Sequence, residues 1–205
     1  MQQKILILLS PSGGGKDSVI TELENRGIGI CAKRVTTRPN RGTEEDRLRY
    51  DFVVPEQFER LNVRGMLLMP NPYASHFYAV QASALKPILE QGRVVILKGV
   101  VDNVFDARSK LRELYPRAKI TVVYLFPACE RTWLSRLRKR GTDDNIEARI
   151  EESKREIKQA RTSLENRDGL VDFGILNGPE NSVAQTTDLV IQCLNGTIDF
   201  NHLVL

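Results

Sequence analysis

Apolar and polar positions along this chain fall into blocks whose spacing changes from element to element. Residues 4–9, KILILL, form a near-continuous apolar run of the kind expected of a strand covered on both faces. Helical character follows from Asp17 to Asn25, and Gly27 and Gly29 mark its end. VVIL at 94–97 predicts a second buried strand, introduced by the turn residues Gln91-Gly92-Arg93. ITVVYLF at 120–126 predicts a third, closed by Pro127. FGIL at 173–176 predicts a fourth, ended by Asn177-Gly178-Pro179. Helical stretches fill the intervals at Asn103–Leu114, Glu130–Lys139 (with Trp133 as helix core) and Asn145–Arg167. Strands separated by helices imply βαβ units, and so an α/β fold whose parallel sheet is covered by helices on both faces. Residues 36–89 break this rhythm. They are rich in Arg, Pro, Tyr and Met and read as an insertion, with His76 as a loop residue.

Composition narrows the picture without changing it. A chain of 205 residues, 41% hydrophobic, can bury one good core. The balance of 30 basic against 26 acidic residues is too mild to argue for nucleic acid and suits anionic small ligands equally well. Cys31, Cys129 and Cys193 are widely spaced and form no C-x-x-C pair, which fits reduced thiols in a cytosolic setting. The apolar run near the N-terminus is too short for a signal peptide or a membrane span. The expectation is one cytoplasmic domain, monomer or homodimer, with no nucleic-acid or membrane partner.

Candidate chemistry begins at Ser10–Ser18, SPSGGGKDS, between the first strand and the first helix. Three glycines allow backbone N–H groups to turn inward around a phosphate, and the helix N-terminus adds its positive end. Ser12, Gly13, Gly14, Gly15 and Lys16 therefore read as a phosphate cradle, with Lys16 expected to project unpacked toward the transferring phosphates. The strict pattern G-x-x-x-x-G-K-[ST] is broken at both ends. Ser10 stands at the first glycine, and Asp17 replaces the metal-binding hydroxyl, with Ser18 one position late. Magnesium prefers hard oxygen ligands and a carboxylate is one, so Asp17 is the candidate metal ligand.

The insertion opens with RVTTRPNRGTEEDRLRYDFV, residues 34–53, whose arginines and tyrosine suit phosphate oxygens. This stretch resembles the acceptor-binding segment of the guanylate kinase family, approximately S-x-T-T-R-x-P-R-x-G-E-x-x-G-x-x-Y-x-F. The resemblance continues through GMLLMPNPYASHFYAV, through the lid-like RLRKRGTDDNIEARIEESKREI and into the closing strand DFGILN, and so covers nearly the whole chain. It implies a P-loop kinase with a core at 1–35 and 90–205, an acceptor-binding insertion at 36–89 and a lid at 138–149. It implies ATP with Mg²⁺, and transfer of the γ-phosphoryl group to a phosphorylated small acceptor, GMP by family default. Carried over by position, it assigns the acceptor to Arg38, Arg41, Glu44, Tyr50 and Tyr78. It assigns Lys16, Arg136, Arg140 and Arg149 to the transferring group, and Asn177 to the ATP side.

The base-recognition positions depart from that family. The serine before Thr36-Thr37 is Arg34, the guanine-binding glutamate falls at Met69, and the hydroxyl after Tyr-Gly falls at Val80. The L-x-I-D block becomes Leu97-Lys98-Gly99-Val100, with no aspartate in register and a cation able to meet a second phosphate. Guanine donors left unpaired cost about 1–3 kcal/mol each. The ribose 1,5-bisphosphate phosphokinase family, built on the same plan, also carries Gly-Lys-Asp-Ser in its loop, as Gly15-Lys16-Asp17-Ser18 does here. Ribose 1,5-bisphosphate is therefore an alternative acceptor, and a catalytically impaired binding module a third reading.

Overall fold

A computed structural model describes residues 2–73, 75–139, 146–178 and 181–198. The first half contains β1 (Lys4–Leu9), α1 (Lys16–Asn25), β2 (Gly29–Cys31), β3 (Arg34–Thr36), α2 (Glu44–Arg49), β4 (Tyr50–Phe52), α3 (Pro55–Val63), β5 (Leu67–Tyr73) and β6 (His76–Gln81). There follow α4 (Lys86–Glu90), β7 (Val94–Gly99), α5 (Val104–Leu114), β8 (Lys119–Pro127), α6 (Glu130–Lys139), α7 (Ile146–Asn166), β9 (Phe173–Asn177) and α8 (Val183–Asn195). The four apolar runs all form strands, and the helices at 17–25, 103–114, 130–139 and 145–167 agree to within a residue at each end. Gly29 opens the short edge strand β2 where the sequence suggested only a helix end. His76 begins β6 and is not in a loop. Helix α8 was not anticipated, although Ser182 and Gln185 form a reciprocal capping box at its start.

One sheet is fully parallel in the order β2-β7-β1-β8-β9. Strand β1 shows why KILILL has no polar face. Leu6 and Leu8 pack with Val19, Ile20, Val190 and Leu194 of α1 and α8, while Ile5, Ile7 and Leu9 pack with Leu85, Val104, Leu111 and Ala160 on the other side. Residues 5–9 are all fully buried. A second sheet, β4-β3-β6-β5, is built from residues 34–81 around a small core of Val35, Phe58, Leu67 and Ala79.

Register aligns the carboxyl ends of the central strands, since Leu9 pairs with Gly99 on one side and Tyr124 on the other. The chain runs from β1 to one side of the sheet first and returns to the other later, so the crevice beyond Leu9 is a topological switch point. The second sheet stands over that crevice.

Candidate active site

The loop between β1 and α1 is fixed by its backbone. Gly13 and Gly15 have φ of 75° and 90°, in the left-handed region that glycine enters without steric cost. Gly14 is needed for closeness. A Cβ there would stand 2.8 Å from the Ser10 Cβ and 2.9 Å from the Pro11 carbonyl oxygen. Ser10 has no positive φ, so that position makes no demand for glycine; its hydroxyl donates to the Pro11 carbonyl at 3.1 Å. The departure at Ser10 thus leaves the loop's shape intact.

Side chains from distant elements then hold the loop. Trp133 Nε1 donates to the Ser12 carbonyl at 2.7 Å, and Asn177 Nδ2 donates to the Gly14 carbonyl at 2.7 Å. Thr186 of α8 donates to the Asn177 amide oxygen at 3.0 Å, which orients it. Trp133 is buried, as a core residue would be, but its indole N–H also anchors the loop. The sequence offered no signal for that bond.

In front of the loop lies a cleft of about 250 Å³. Ser12, Lys16 and Asp17 enter it from the loop and α1, Tyr50 and Tyr78 from the second sheet, and Arg149 from α7. Six residues assigned from sequence therefore meet in one cavity. Lys16 is partly buried, which differs from the unpacked side chain expected. Burial lowers its pKa, and Asp17 and Glu156 oppose that shift.

The other assigned residues are elsewhere. Gly13, Gly14, Arg136 and Asn177 border a small recess on a separate side of the loop, with Cys129 and Trp133. Ser18 is exposed on α1. Arg38 is buried in an ion pair with Asp46, its guanidinium 4.7 Å from the centre of the Tyr50 ring. Assigned to the acceptor from sequence, it contacts Asp46 and Tyr50 here and is not among the residues that line the cleft. The pair and the Arg41 backbone N–H hold the Asp46 carboxyl at about 2. Arg41 and Glu44 are exposed near the start of α2. Arg140 and half of the expected lid, residues 140–145, lie outside the described residues.

Residues that the sequence did not assign also line the cleft, among them Arg34, Asn71, Lys98, Val100, Glu152, Ser153 and Glu156. The sequence had flagged Arg34, Lys98 and Val100 only as departures. Lys98 is buried, and its ammonium donates to Asp17 Oδ1 at 3.1 Å. Burial works against its charge, but Asp17 and its neighbours outweigh that and raise its pKa. Arg34 lies 5.0 Å from the centre of the Tyr78 ring, and its Nε is buried with no hydrogen-bond partner.

Met69, the expected stand-in for a guanine-binding carboxylate, is not in the cleft. A register shift in β5 between Leu68 and Asn71 puts Met69 at φ 53°. Its side chain is buried in the main apolar cluster, so close above Gly99 that a Cβ on that glycine would overlap it. Asn71, two residues on, lines the cleft. Only the shift, which periodicity does not reveal, brings it there.

No cluster of three or more His, Cys, Asp or Glu side chains able to hold a metal occurs among the described residues. Asp17 remains half-exposed at the cleft, which fits a metal held by one carboxylate, substrate phosphates and water. Among the described residues no helix is long and apolar enough to cross a membrane.

Comparison with known proteins places the chain among relatives of one family. The family model described as guanylate kinase matches residues 2–176. Guanylate kinase of Sulfurimonas denitrificans is 30% identical over 203 residues, covering 97% of this chain and 92% of that protein. Guanylate kinase of Cutibacterium acnes is 29% identical over 188 residues, covering 91% and 89%. The crystal structure of guanylate kinase from Anaplasma phagocytophilum shares the fold, with a TM-score of 0.63 at 23% identity over 98% of this chain and 90% of that one.

Proposed function

The chain belongs to the guanylate kinase family and is a phosphotransferase of that kind; from that premise we propose a specific division of labour in its cleft. ATP seats its phosphates on the backbone N–H groups of the loop, with Lys16 against the group being transferred. Tyr50 and Tyr78 hold the acceptor phosphate opposite, and Arg149 closes on the charge that develops between them. The observation that carries this reading is that Lys16 and Arg149 share one cavity with the two tyrosines. In-line transfer between phosphates needs positioning and charge neutralisation, and the acceptor oxygen is already a nucleophile. These cations are also what a binding module without catalysis would not need.

ATP and a nucleoside monophosphate, GMP in this family, are the substrates by kinship. Specificity for the base is weak in our reading, because the cleft offers Asn71 and Val100 where a guanine site needs carboxylates. A hydrophobic site discriminates by only about 10–200-fold per small group, against about 10⁴-fold or more for a site built to pair donors. A second reading, ribose 1,5-bisphosphate, is favoured by Arg34, whose guanidinium lies over the Tyr78 ring in the cleft and whose buried Nε has no hydrogen-bond partner among the described residues. The measurement that decides is kcat/KM for GMP, AMP and ribose 1,5-bisphosphate side by side with ATP. A strong exclusive preference for GMP overturns the weak-specificity reading, and no turnover of any phosphorylated acceptor overturns the kinase reading.

Asp17 is the residue that would hold Mg²⁺, which when bound supplies neutralising charge to the nucleotide phosphates. Lys98 is already its partner, so metal and ammonium share or exchange that carboxylate. Asp17→Asn is expected to raise the Mg²⁺ concentration required for half-maximal rate. An unchanged metal dependence removes the assignment.

A further inference from the structure

Helix α7 turns one face to the cleft, with Arg149, Glu152, Ser153 and Glu156 at helical spacing. Arg149 has a place in the reaction above. Glu156, two turns further in, has none, and its setting is unusual for a carboxylate. It is part of the wall that faces Lys16. One of its oxygens, Oε1, is buried with no hydrogen-bond partner among the described residues, and the carboxylate accepts a backbone bond from Val101.

The groups that face it come from four elements. Lys16 approaches from α1, Val101 and Asp102 from the turn after β7, Tyr124 from β8 and Glu152 from its own helix. Of these, only Lys16 is a cation. Tyr124 is fully buried, and its hydroxyl also lacks a hydrogen-bond partner. Two acidic neighbours and burial therefore oppose the Glu156 charge, and one lysine and the Val101 backbone N–H support it.

We propose that Glu156, with Asp17, balances the Lys16 ammonium in the nucleotide-free protein, and that Glu156 takes up one proton from solvent when ATP phosphates arrive. The proposal rests on the reading of the cleft as an ATP site. Burial pushes the Glu156 carboxyl up to about 7, with Lys16 the main opposing influence, so its charge is poised near neutral pH. Phosphate engages Lys16 and brings further negative charge into a cavity where Coulomb interactions are weakly screened. Both changes disfavour the carboxylate. Neutral Glu156 no longer repels the phosphate and can donate through its O–H. Glu156 is thus a positioning residue for Lys16, and it makes nucleotide affinity depend on pH.

The sign follows from linkage. A group that binds a proton in the complex and not in the free protein weakens binding as pH rises through its free pKa. The test is calorimetric titration with the non-hydrolysable analogue AMP-PNP and Mg²⁺, at pH 7.5 in buffers of different ionisation enthalpy. Wild type is expected to take up on the order of half a proton more than Glu156→Gln, the free nucleotide's titration being common to both. Between pH 7 and 9 wild-type affinity is expected to fall by up to about tenfold per unit relative to the variant. Equal uptake and parallel pH profiles overturn the proposal while leaving the kinase reading in place. No nucleotide binding by wild type overturns both. Should Glu156→Gln fail to fold, wild type decides alone: uptake beyond that of the nucleotide itself supports the proposal, and its absence overturns it.

Discussion

The two sides of the cleft are built differently. On the parallel-sheet side, geometry is carried by backbone: left-handed glycines, two side-chain bonds to the Ser12 and Gly14 carbonyls, and a strand buried on both faces. On the side of the second sheet, the core is small and charged pairs do more. Arg38 and Asp46 pin the loop before α2. Arg49 reaches Glu24 of α1 at 2.7 and 2.5 Å, and Glu24 also accepts from the Cys31 backbone N–H at 2.9 Å. A backbone cradle tolerates substitutions that leave its shape alone, as Ser10 illustrates. A side organised by side chains can change its ligand with one or two replacements. Of the departures from the family pattern that alter the cleft's chemistry, Arg34 stands on the second sheet, whereas Lys98 and Val100 lie at the end of β7 on the parallel side, where the change is again in side chains and not in backbone shape.

The contrast is broken most strongly at Lys16, the cation that the backbone-built side brings to the transferring group. Lys16→Ala is expected to lower kcat about a hundredfold to a thousandfold, the usual cost of one preorganised donor. The fold should survive, because the change removes a cation that burial already disfavours. Steady-state kinetics alongside a thermal melt tests both halves, and near wild-type turnover would remove the assignment.

Arg34→Leu probes the opposite side. Removing a cation that faces the acceptor should lower kcat/KM for ribose 1,5-bisphosphate about tenfold to a hundredfold, in line with about 1.5–3 kcal/mol for a charged hydrogen bond. KM for ATP should stay unchanged. An equal loss for ATP and acceptor would show that Arg34 supports the whole cleft and not the acceptor end.

Smaller effects sharpen the comparison. Trp133→Phe keeps the ring and removes the bond to the Ser12 carbonyl, a loss of about 0.5–1.5 kcal/mol. A rise in KM for ATP of about twofold to tenfold is expected, with acceptor KM unaltered. A change in acceptor KM alone would contradict the assignment of Trp133 to the loop.

Arg38→Met is expected to act on stability and leave the chemical step nearly unchanged, with a Tm lower by a few degrees. Its pH dependence has a definite sign. The Asp46 carboxyl is depressed to about 2 from an ordinary value of 3.8, so its contribution is present above about pH 4 and is lost as pH falls through 2. The gap between wild type and variant in denaturation midpoint should therefore narrow from pH 5 to pH 2. A gap that stays constant would mean that the arginine acts through packing on Tyr50 and Phe52.

Much of the parallel side was legible in the chain itself. KILILL is buried on both faces because nothing in it is polar, and SPSGGGKDS bends as it does because left-handed φ and the Gly14–Ser10 approach leave few alternatives. Local rules act over a few residues, and sequence displays them directly. Tyr50, Tyr78 and Arg149 were also legible, through resemblance, and the fold brings them to one cavity with Lys16. What tertiary structure alone decided was the state of each charge. Arg38 reads as an unpaired cation until Asp46 is seen against it, and Lys98 likewise until Asp17 is. Met69 reads as a cleft residue until a one-step shift in β5 turns it inward and puts Asn71 in its place. Glu156 reads as one more acid on a charged helix until burial and Lys16 define it. An ion pair or a register shift depends on partners far along the chain, whose meeting is a property of the packed molecule and not of any local pattern.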